Sequence, residues 1–543
     1  MKKYYIFFLC ITVLSCSQQE PLLDTALDNQ ILHWGNGSEP QSLDPHIATG
    51  VPEHHVLIAL CEGLTITNPK GGDNLPGVAQ AWDISDDGLI YTFFLQPNAK
   101  WSNGDDLIAE DFVWSWKRIL TASLGSQYPD MLYYLKNAEE YHAGKIQDFS
   151  EVGVEAIDAK TLKVTLRAPT PFFTKLLSHY STWPVHKKTI LNFGEIDNRN
   201  GEWTRPGNFV CNGPMKLKSW ELNKKIIVDK NPMYWDYKQV QLNEIHYYPV
   251  VNESTEDRMF RAGQLHVTNV VPLEKCPVYL EQNNPNLRVD PYMGTYFYRT
   301  NTTIDSLNNK KVRKALAYAI DRKMIVDNVS KCGQQPAYSF TPPGSAGYEP
   351  NTEIPYDPEL AKQLLAEAGY ENGENFPVLE ILFNTQEGHR KIALAIQQMW
   401  QENLNINVEL VNQDWKVYLS RERIGDFQIS RAGWIGDYVD PNTFLDTLRA
   451  NRGNNKTGWT NDTYETLMQK ANSTNDNALR YDLLGQAEKI LIDEMPIIPI
   501  YTYVRQYQIS SDVKGWHPNF LDHHHPTVSY THLRAHETQS DLV

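Results

Sequence analysis

A carboxylate, Asp437, follows Gly436 and precedes Tyr438 in the stretch running from Asp426 to Phe444. At the end of a strand such a group is held away from bulk water, where a charge-assisted hydrogen bond to an ammonium group is strongest. Phe427, Ile429 and Trp434 give the run its strand character, while Gly433 and Gly436 let another backbone approach closely. The stretch therefore offers a candidate ligand edge, with a carboxylate at its end that could take an ammonium group. An Asp taken alone has a commoner role here, opening a turn before Asp440-Pro441. The chemistry on offer is recognition rather than catalysis. The chain carries no Gly-x-Ser-x-Gly elbow and no His-Glu-x-x-His zinc motif, so a secreted hydrolase is disfavoured, and no cofactor is called for.

The elements that must position this edge show most plainly nearby. Leu379, Ile381 and Phe383 alternate, Ile392, Ala395, Ile396 and Met399 share a helical face, and Ile406, Val408 and Leu410 alternate again. Strand, helix and strand in that order predict a parallel crossover. Asp357-Pro358 opens a further helix whose Leu360, Leu364 and Leu365 face inward and which Gly369 closes. Another helix is expected from Lys310 to Val329. Earlier, Tyr91, Phe93 and Leu95, and then Leu162, Val164 and Leu166, alternate as half-buried strands. The loop from Glu195 to Glu202 is polar and expected at the surface.

At 543 residues the chain exceeds one hydrophobic core, so two or more domains are expected, and 41% apolar content is ample to fill them. A formal charge of -16 without a Lys/Arg cluster argues against nucleic acid as a partner. Lys2 and Lys3, an apolar run from Tyr4 to Leu14 and then Ser15-Cys16 make a secretory leader too short to span a membrane. A Cys directly after the small residue resembles a lipoprotein signal box, so residues 1–15 are expected to be cleaved and Cys16 acylated. Residues 16–27 then form a mobile tether, and the membrane is met through the lipid alone. Cys61, Cys211, Cys276 and Cys332 remain, without metal spacing. They allow up to two disulfides, between which the sequence does not choose. His523-His524-His525 reads as a solvated turn rather than a metal site. Val528 to Thr538 matches a translation of a transposon-derived sequencing adapter, so residues 528–543 are expected to be library read-through that packs poorly; His532 and His536 are no metal ligands.

Spaced blocks then tie these features together. They include Leu60-Cys61-Glu62-Gly63-Leu64, Trp101-Ser102-Asn103-Gly104-Asp105, Asn212-Gly213-Pro214-Met215, Lys230-Asn231-Pro232-Met233-Tyr234-Trp235 and Arg431-Ala432-Gly433-Trp434 leading to Asp437-Tyr438. In this order they resemble the oligopeptide-binding proteins of bacterial ABC importers, solute-binding family 5. The resemblance implies an α/β, two-lobed periplasmic-binding-protein-like fold with an extra domain and the ligand enclosed between lobes. The first lobe would comprise 28–293, with an inserted subdomain at about 62–187, and 505–527; the second would comprise 294–504. The hinge would lie near Tyr292-Met293-Gly294 and Val504-Arg505. The enteric relatives' cysteine pair falls on Gly294 and Ile435, so that disulfide is absent.

The same resemblance assigns roles. Asp437 fixes the amino terminus of a peptide. Main-chain groups at Thr49-Gly50-Val51 and from Arg431 through Gly433 and Trp434 to Ile435 pair with its backbone as strand addition does. Arg431, His389 and His179 match ligands of the carboxyl end for different peptide lengths, and Trp415 and Tyr503 line side-chain pockets. Thr49 stands where a Glu is usual, which removes one carboxylate from the amine subsite. The implied protein is a monomeric, lipid-anchored periplasmic or cell-envelope receptor that hands oligopeptides to an ABC permease and its ATPase. Dipeptide, murein-peptide and nickel carriers are the alternatives within the family.

Overall fold

The computed structural model describes residues 22–199, 201–527 and 529–531. Helix α1 (Leu22–Asp28) precedes strand β1 (Ile31–Gly35), and Ala26 and Leu27 are buried. The end of the expected tether is thus folded structure, because two apolar side chains find a place against β1; the leader and Cys16 lie outside the described residues.

Helix α2 (Val51–Leu60) comes next, followed by an antiparallel sheet. Its strands β2 (Ala79–Ile84) and β3 (Ile90–Leu95) are separated by helix α3 (Ala109–Leu120) from β4 (Val154–Asp158) and β5 (Thr161–Thr165). Their order is β2–β3–β5–β4. Tyr91, Phe93 and Leu95 on β3, with Leu162 and Val164 on β5, turn the predicted alternate side chains into the core. Strands β6 (Met215–Glu221), β7 (Lys225–Lys230) and β8 (Glu244–Tyr248) then build a second sheet on β1 in the order β1–β8–β7–β6, with β1 and β8 parallel. The loop near Glu195 is largely exposed, yet the buried guanidinium of Arg118 pins it through the carbonyls of Ile196 and Asn198.

Strand β9 (Leu287–Thr300) is long and leaves this half of the molecule. The helix expected from Lys310 to Val329 is broken. Helix α4 (Lys310–Tyr318) stops, and Asp321 starts a new turn by accepting the Met324 N–H at 2.9 Å. Buried Arg322 holds the freed carbonyls of Ala317 and Ile320, which compensates the break. Helix α5 (Pro358–Glu367) has the predicted ends: Asp357 caps it through the Leu360 N–H at 3.0 Å, and Gly369 beyond it adopts φ 98°.

Strand β10 (Leu379–Asn384), helix α6 (Glu387–Leu404) and strand β11 (Val408–Gln413) form the predicted parallel crossover, with Ile392, Ile396 and Met399 buried beneath it. Helix α7 (Trp415–Ile424) leads to β12 (Ile429–Ile435). Helices α8 (Asp462–Ala471) and α9 (Asn477–Glu494) lead in turn to β13 (Ile497–Gln508). These strands make one sheet whose order, after the short strand Gln335–Pro336, is β13–β9–β12–β10–β11. The Gly294 and Ile435 positions face each other across β9 and β12. This is the two-lobed α/β architecture that the resemblance implied.

Strands β9 and β13 connect the two halves as one antiparallel pair. Leu287 to Pro291 pair with Gln508 to Val504 on one side, Thr295 to Arg299 pair with Thr502 to Ile497 on the other, and the register breaks between Pro291 and Thr295. Disulfides join Cys61 to Cys211, with Cα atoms 5.3 Å apart, and Cys276 to Cys332 at 5.7 Å.

Two expectations for the end of the chain are corrected. His523, His524 and His525 are buried, not solvated. Asp522 accepts from Arg505 Nε at 2.5 Å and lies 3.3 Å from His55 Nε2 and 2.8 Å from His524 Nε2, while the His524 ring stacks on Trp516 at 3.8 Å. A buried carboxylate needs such partners, and the histidines supply them. Tyr530–Thr531 pairs antiparallel with Val513–Lys514, and Gln30 Nε2 donates to the Thr531 carbonyl at 2.7 Å. The first residues of the suspected read-through thus pack, since backbone pairing is indifferent to side-chain identity. His532 and His536 lie outside the described residues.

Candidate functional site

The N-terminus of α2, the edge of β12, the start of α6 and the strand pair β9/β13 enclose a cavity of about 340 Å³. Thr49, Gly50, Val51, His179, His389, Trp415, Arg431, Gly433, Trp434, Ile435, Asp437 and Tyr503 all line it. Residues from both ends of the sequence are brought together there. A Cβ on Gly50 would lie 2.3 Å from Glu53 Oε2 and 2.8 Å from the Trp415 ring, so any larger residue would have to displace these two side chains. Gly433 is constrained in the same way, by the Tyr503 hydroxyl at 2.6 Å.

The β12 edge is open. β10 pairs with β12 only through Ile381–Ile429 and Leu382–Ser430, so from Arg431 to Ile435 no strand among the described residues lies on the side away from β9. Such an edge offers main-chain N–H and C=O groups to an added strand.

Asp437 ends this edge. Its Oδ2 accepts from Thr443 Oγ1 at 3.2 Å, and its own N–H donates to the same hydroxyl at 2.9 Å. His179 Nε2 lies 3.3 Å from Oδ1, with Ser181 Oγ 2.8 Å from the other ring nitrogen. No Lys or Arg pairs with Asp437 among the described residues. Burial, with the charge of Asp130 added, pushes the Asp437 carboxyl well above the usual carboxylate range. Burial, with the nearby His54, likewise holds the His179 imidazole well below its ordinary value. Both groups favour their neutral forms, and an ammonium group arriving from a ligand supplies the charge that ionised Asp437 lacks. His179, expected with the carboxyl-end ligands, lies beside Asp437.

Arg431 forms the other pole. Its guanidinium lies 4.6 Å from the centroid of the Tyr296 ring and donates to the Tyr503 hydroxyl at 2.6 Å and to Asn384 Oδ1 at 3.3 Å. It makes no ion pair with a carboxylate among the described residues, and its buried Nε has no hydrogen-bond partner there. His389, near the start of α6, packs against the same Tyr296 ring at 5.6 Å. Burial, and then the charge of Arg431, keeps its imidazole well below its ordinary value. A buried cation with free donors fits a ligand carboxylate.

Sequence reasoning missed several cavity residues. Tyr128 packs between His179, at 4.8 Å, and Trp434, at 6.4 Å. Glu253, with its carboxyl raised to about 7 by burial, faces the start of α6. Arg299 pairs with Glu422 at 2.6 Å, and Lys456 reaches the cavity from beyond α7. None of these stands in a spaced motif, so their chemistry emerges only on folding. Glu53, buried behind Gly50 and raised to about 7 by burial, supplies a carboxyl close to where Thr49 withholds one. Among the described residues no group of three His, Cys, Asp or Glu side chains could hold a metal ion, and no helix is long and apolar enough to cross a membrane.

Residues 75–456 match the family described as bacterial extracellular solute-binding proteins, family 5, middle region. The periplasmic oligopeptide-binding protein OppA of Salmonella typhimurium is 38% identical over 498 residues, 90% of each chain. The structure of the Escherichia coli murein tripeptide binding protein MppA superposes with a TM-score of 0.88 at 35% identity, covering 93% of this chain and 99% of that one. The unliganded open form of MppA gives 0.63 at 35% identity, so the lobes of this chain are set differently from those of that open form. Haemophilus influenzae OppA in complex with the peptide RPPGFSPFR gives 0.87 at 34% identity, over 93% of this chain and 99% of that one.

Proposed function

The chain belongs to family 5 of the bacterial extracellular solute-binding proteins, and from that premise we propose that it is the peptide receptor of an ABC importer. The observation that carries this reading is a polarised cleft. Among the described residues, a buried aspartate without a Lys or Arg partner and a buried arginine without an anionic one stand along a strand edge that no other strand pairs. A peptide of any sequence owns the three complementary features: an ammonium group, a carboxylate and a backbone between them.

In this reading Asp437 holds the amine, Arg431 or His389 takes the carboxylate according to peptide length, and the β12 edge and Thr49-Gly50-Val51 hold the backbone. Trp415 and Tyr503 flank the side chains, with bridging water filling what they leave. The register break at Tyr292-Met293-Gly294 is the hinge, between lobes at about 28–293 with 505–527 and 294–504. The protein carries its ligand without altering it. Acylation of Cys16 tethers it in the cell envelope as a monomer, where it delivers peptide to a permease and its ATPase.

The test is native mass spectrometry of the protein purified from cells. A ladder of short peptides of mixed sequence is expected, and it should disappear in Asp437→Asn. A single species, or an empty site that ignores peptides in titration, overturns the reading.

A further inference from the structure

A strand laid along β12 sends its side chains alternately to the two faces of the sheet. One face carries Arg431 and Gly433 beneath Tyr296 and Tyr503. The other carries Ser430, Ala432 and Trp434, and its polar groups are of a different kind. Ser430 Oγ donates to Glu422 Oε1 at 2.6 Å, and the same oxygen accepts from Arg299 at 2.6 Å. Glu422 is thereby committed, and Arg299 with Coulombic help from Lys456 holds its carboxyl below the usual range against the effect of burial.

Lys456 is then left over. Its Nζ donates to Gln127 Oε1, a neutral acceptor, and no carboxylate lies within ion-pair distance among the described residues. The other charges it feels are Glu422, which favours its ammonium, and Arg299 and Arg423, which oppose it. Lys456, Arg299, Glu422, Tyr128 and Trp434 line the same cavity as Asp437. In a chain of formal charge -16, this wall of the cleft has one positive charge in excess.

We infer that Lys456 and Arg299 make this wall a charge-selective side-chain subsite, so that the receptor prefers peptides with Asp or Glu at the position that falls on the Trp434 face. The inference rests on the peptide-receptor reading and names the ligand class within it. A side-chain carboxylate there would take the free donors of Lys456 and relieve the repulsion between Lys456 and Arg299, whereas a Lys would add a third like charge. Burial lowers the Lys456 ammonium to about 8, so the preference should fade as pH rises past that value and the amine loses its proton.

The test titrates the full chain calorimetrically with free-ended oligoalanine peptides, tri- to pentapeptides, carrying a single Glu, Gln or Lys at each position in turn. At one position Glu should bind about tenfold or more tighter than Gln, with Lys weaker than both. In Lys456→Met the Glu/Gln ratio at that position should fall close to one, and Lys456→Arg should keep it. Equal binding of Glu and Gln at every position by the unaltered chain, or a ratio that survives in Lys456→Met, overturns the subsite and leaves the peptide-receptor reading standing. Failure of every peptide to bind overturns that reading, and the subsite with it.

Discussion

Replacing Asp437 by Asn exchanges one carboxylate oxygen of the proposed amine anchor for an amide nitrogen and keeps its shape, because Thr443 Oγ1 can still donate to the amide oxygen. What is lost is the charge. An ammonium about 2.8 Å from a carboxylate gains roughly 6 kcal/mol of Coulomb energy at an effective dielectric constant of about 20. Part of that is spent on removing the proton that burial keeps on Asp437 in the empty cleft. A charge-assisted hydrogen bond typically nets about 2–3 kcal/mol, so Asp437→Asn should weaken peptide binding about 30- to 150-fold. Stability should move the other way. A carboxyl raised in the folded state stabilises below its unfolded value near 3.9 and loses that contribution as pH rises toward its folded value. At pH 7 the asparagine variant should therefore unfold at a temperature no lower than the unaltered chain. Calorimetric titration with a peptide and its N-acetylated twin completes a cycle: acetylation should weaken binding to the unaltered chain and matter little to the variant. Equal binding of both peptides by the unaltered chain, or an affinity for the variant within threefold of normal, would refute the argument.

Closure can be tested at Gly453, where an added Cβ would meet the Gln127 carbonyl oxygen at 2.4 Å and its Cα at 2.7 Å, backbone atoms that cannot turn aside. Gly453→Ala should weaken peptide binding about tenfold and raise the radius of gyration of the peptide-saturated protein in X-ray scattering, an unchanged closed form being the contrary result. Although burial alone would raise it, Arg505, with His524 and His55, holds the Asp522 carboxyl well below the usual range. Its contribution is present above the unfolded value near 3.9 and is lost as pH falls through the folded one, so Asp522→Asn should cost about 3–5 kcal/mol in denaturant unfolding at pH 7 and much less in acid.

Local chemistry was legible in the sequence wherever one short segment settles it. The Asp357 cap, the Pro358 start and the Gly369 end of α5 lie within thirteen consecutive residues, and their backbone preferences act on nearest neighbours. The same is true of the 379–410 crossover and of the run from Arg431 to Asp437, whose strand, glycines and terminal carboxylate can be read in order. Spaced blocks supplied the fold class, because they occur in one arrangement in one family. Where contacts join distant segments the sequence is silent. Four cysteines permit three pairings, and only packing brings Cys61 to Cys211 and Cys276 to Cys332. Three consecutive histidines look like a solvated turn until Asp522, Arg505 and Trp516 close around them. His179 and Asp437 stand far apart in the chain, and only the folded cleft sets them 3.3 Å from each other. Lys456 belongs to no motif, and its meaning depends on Glu422 being already committed to Arg299. Propensity and capping are decided within a few residues, whereas burial, charge pairing and the shape of a cleft are sums over everything that folding brings near.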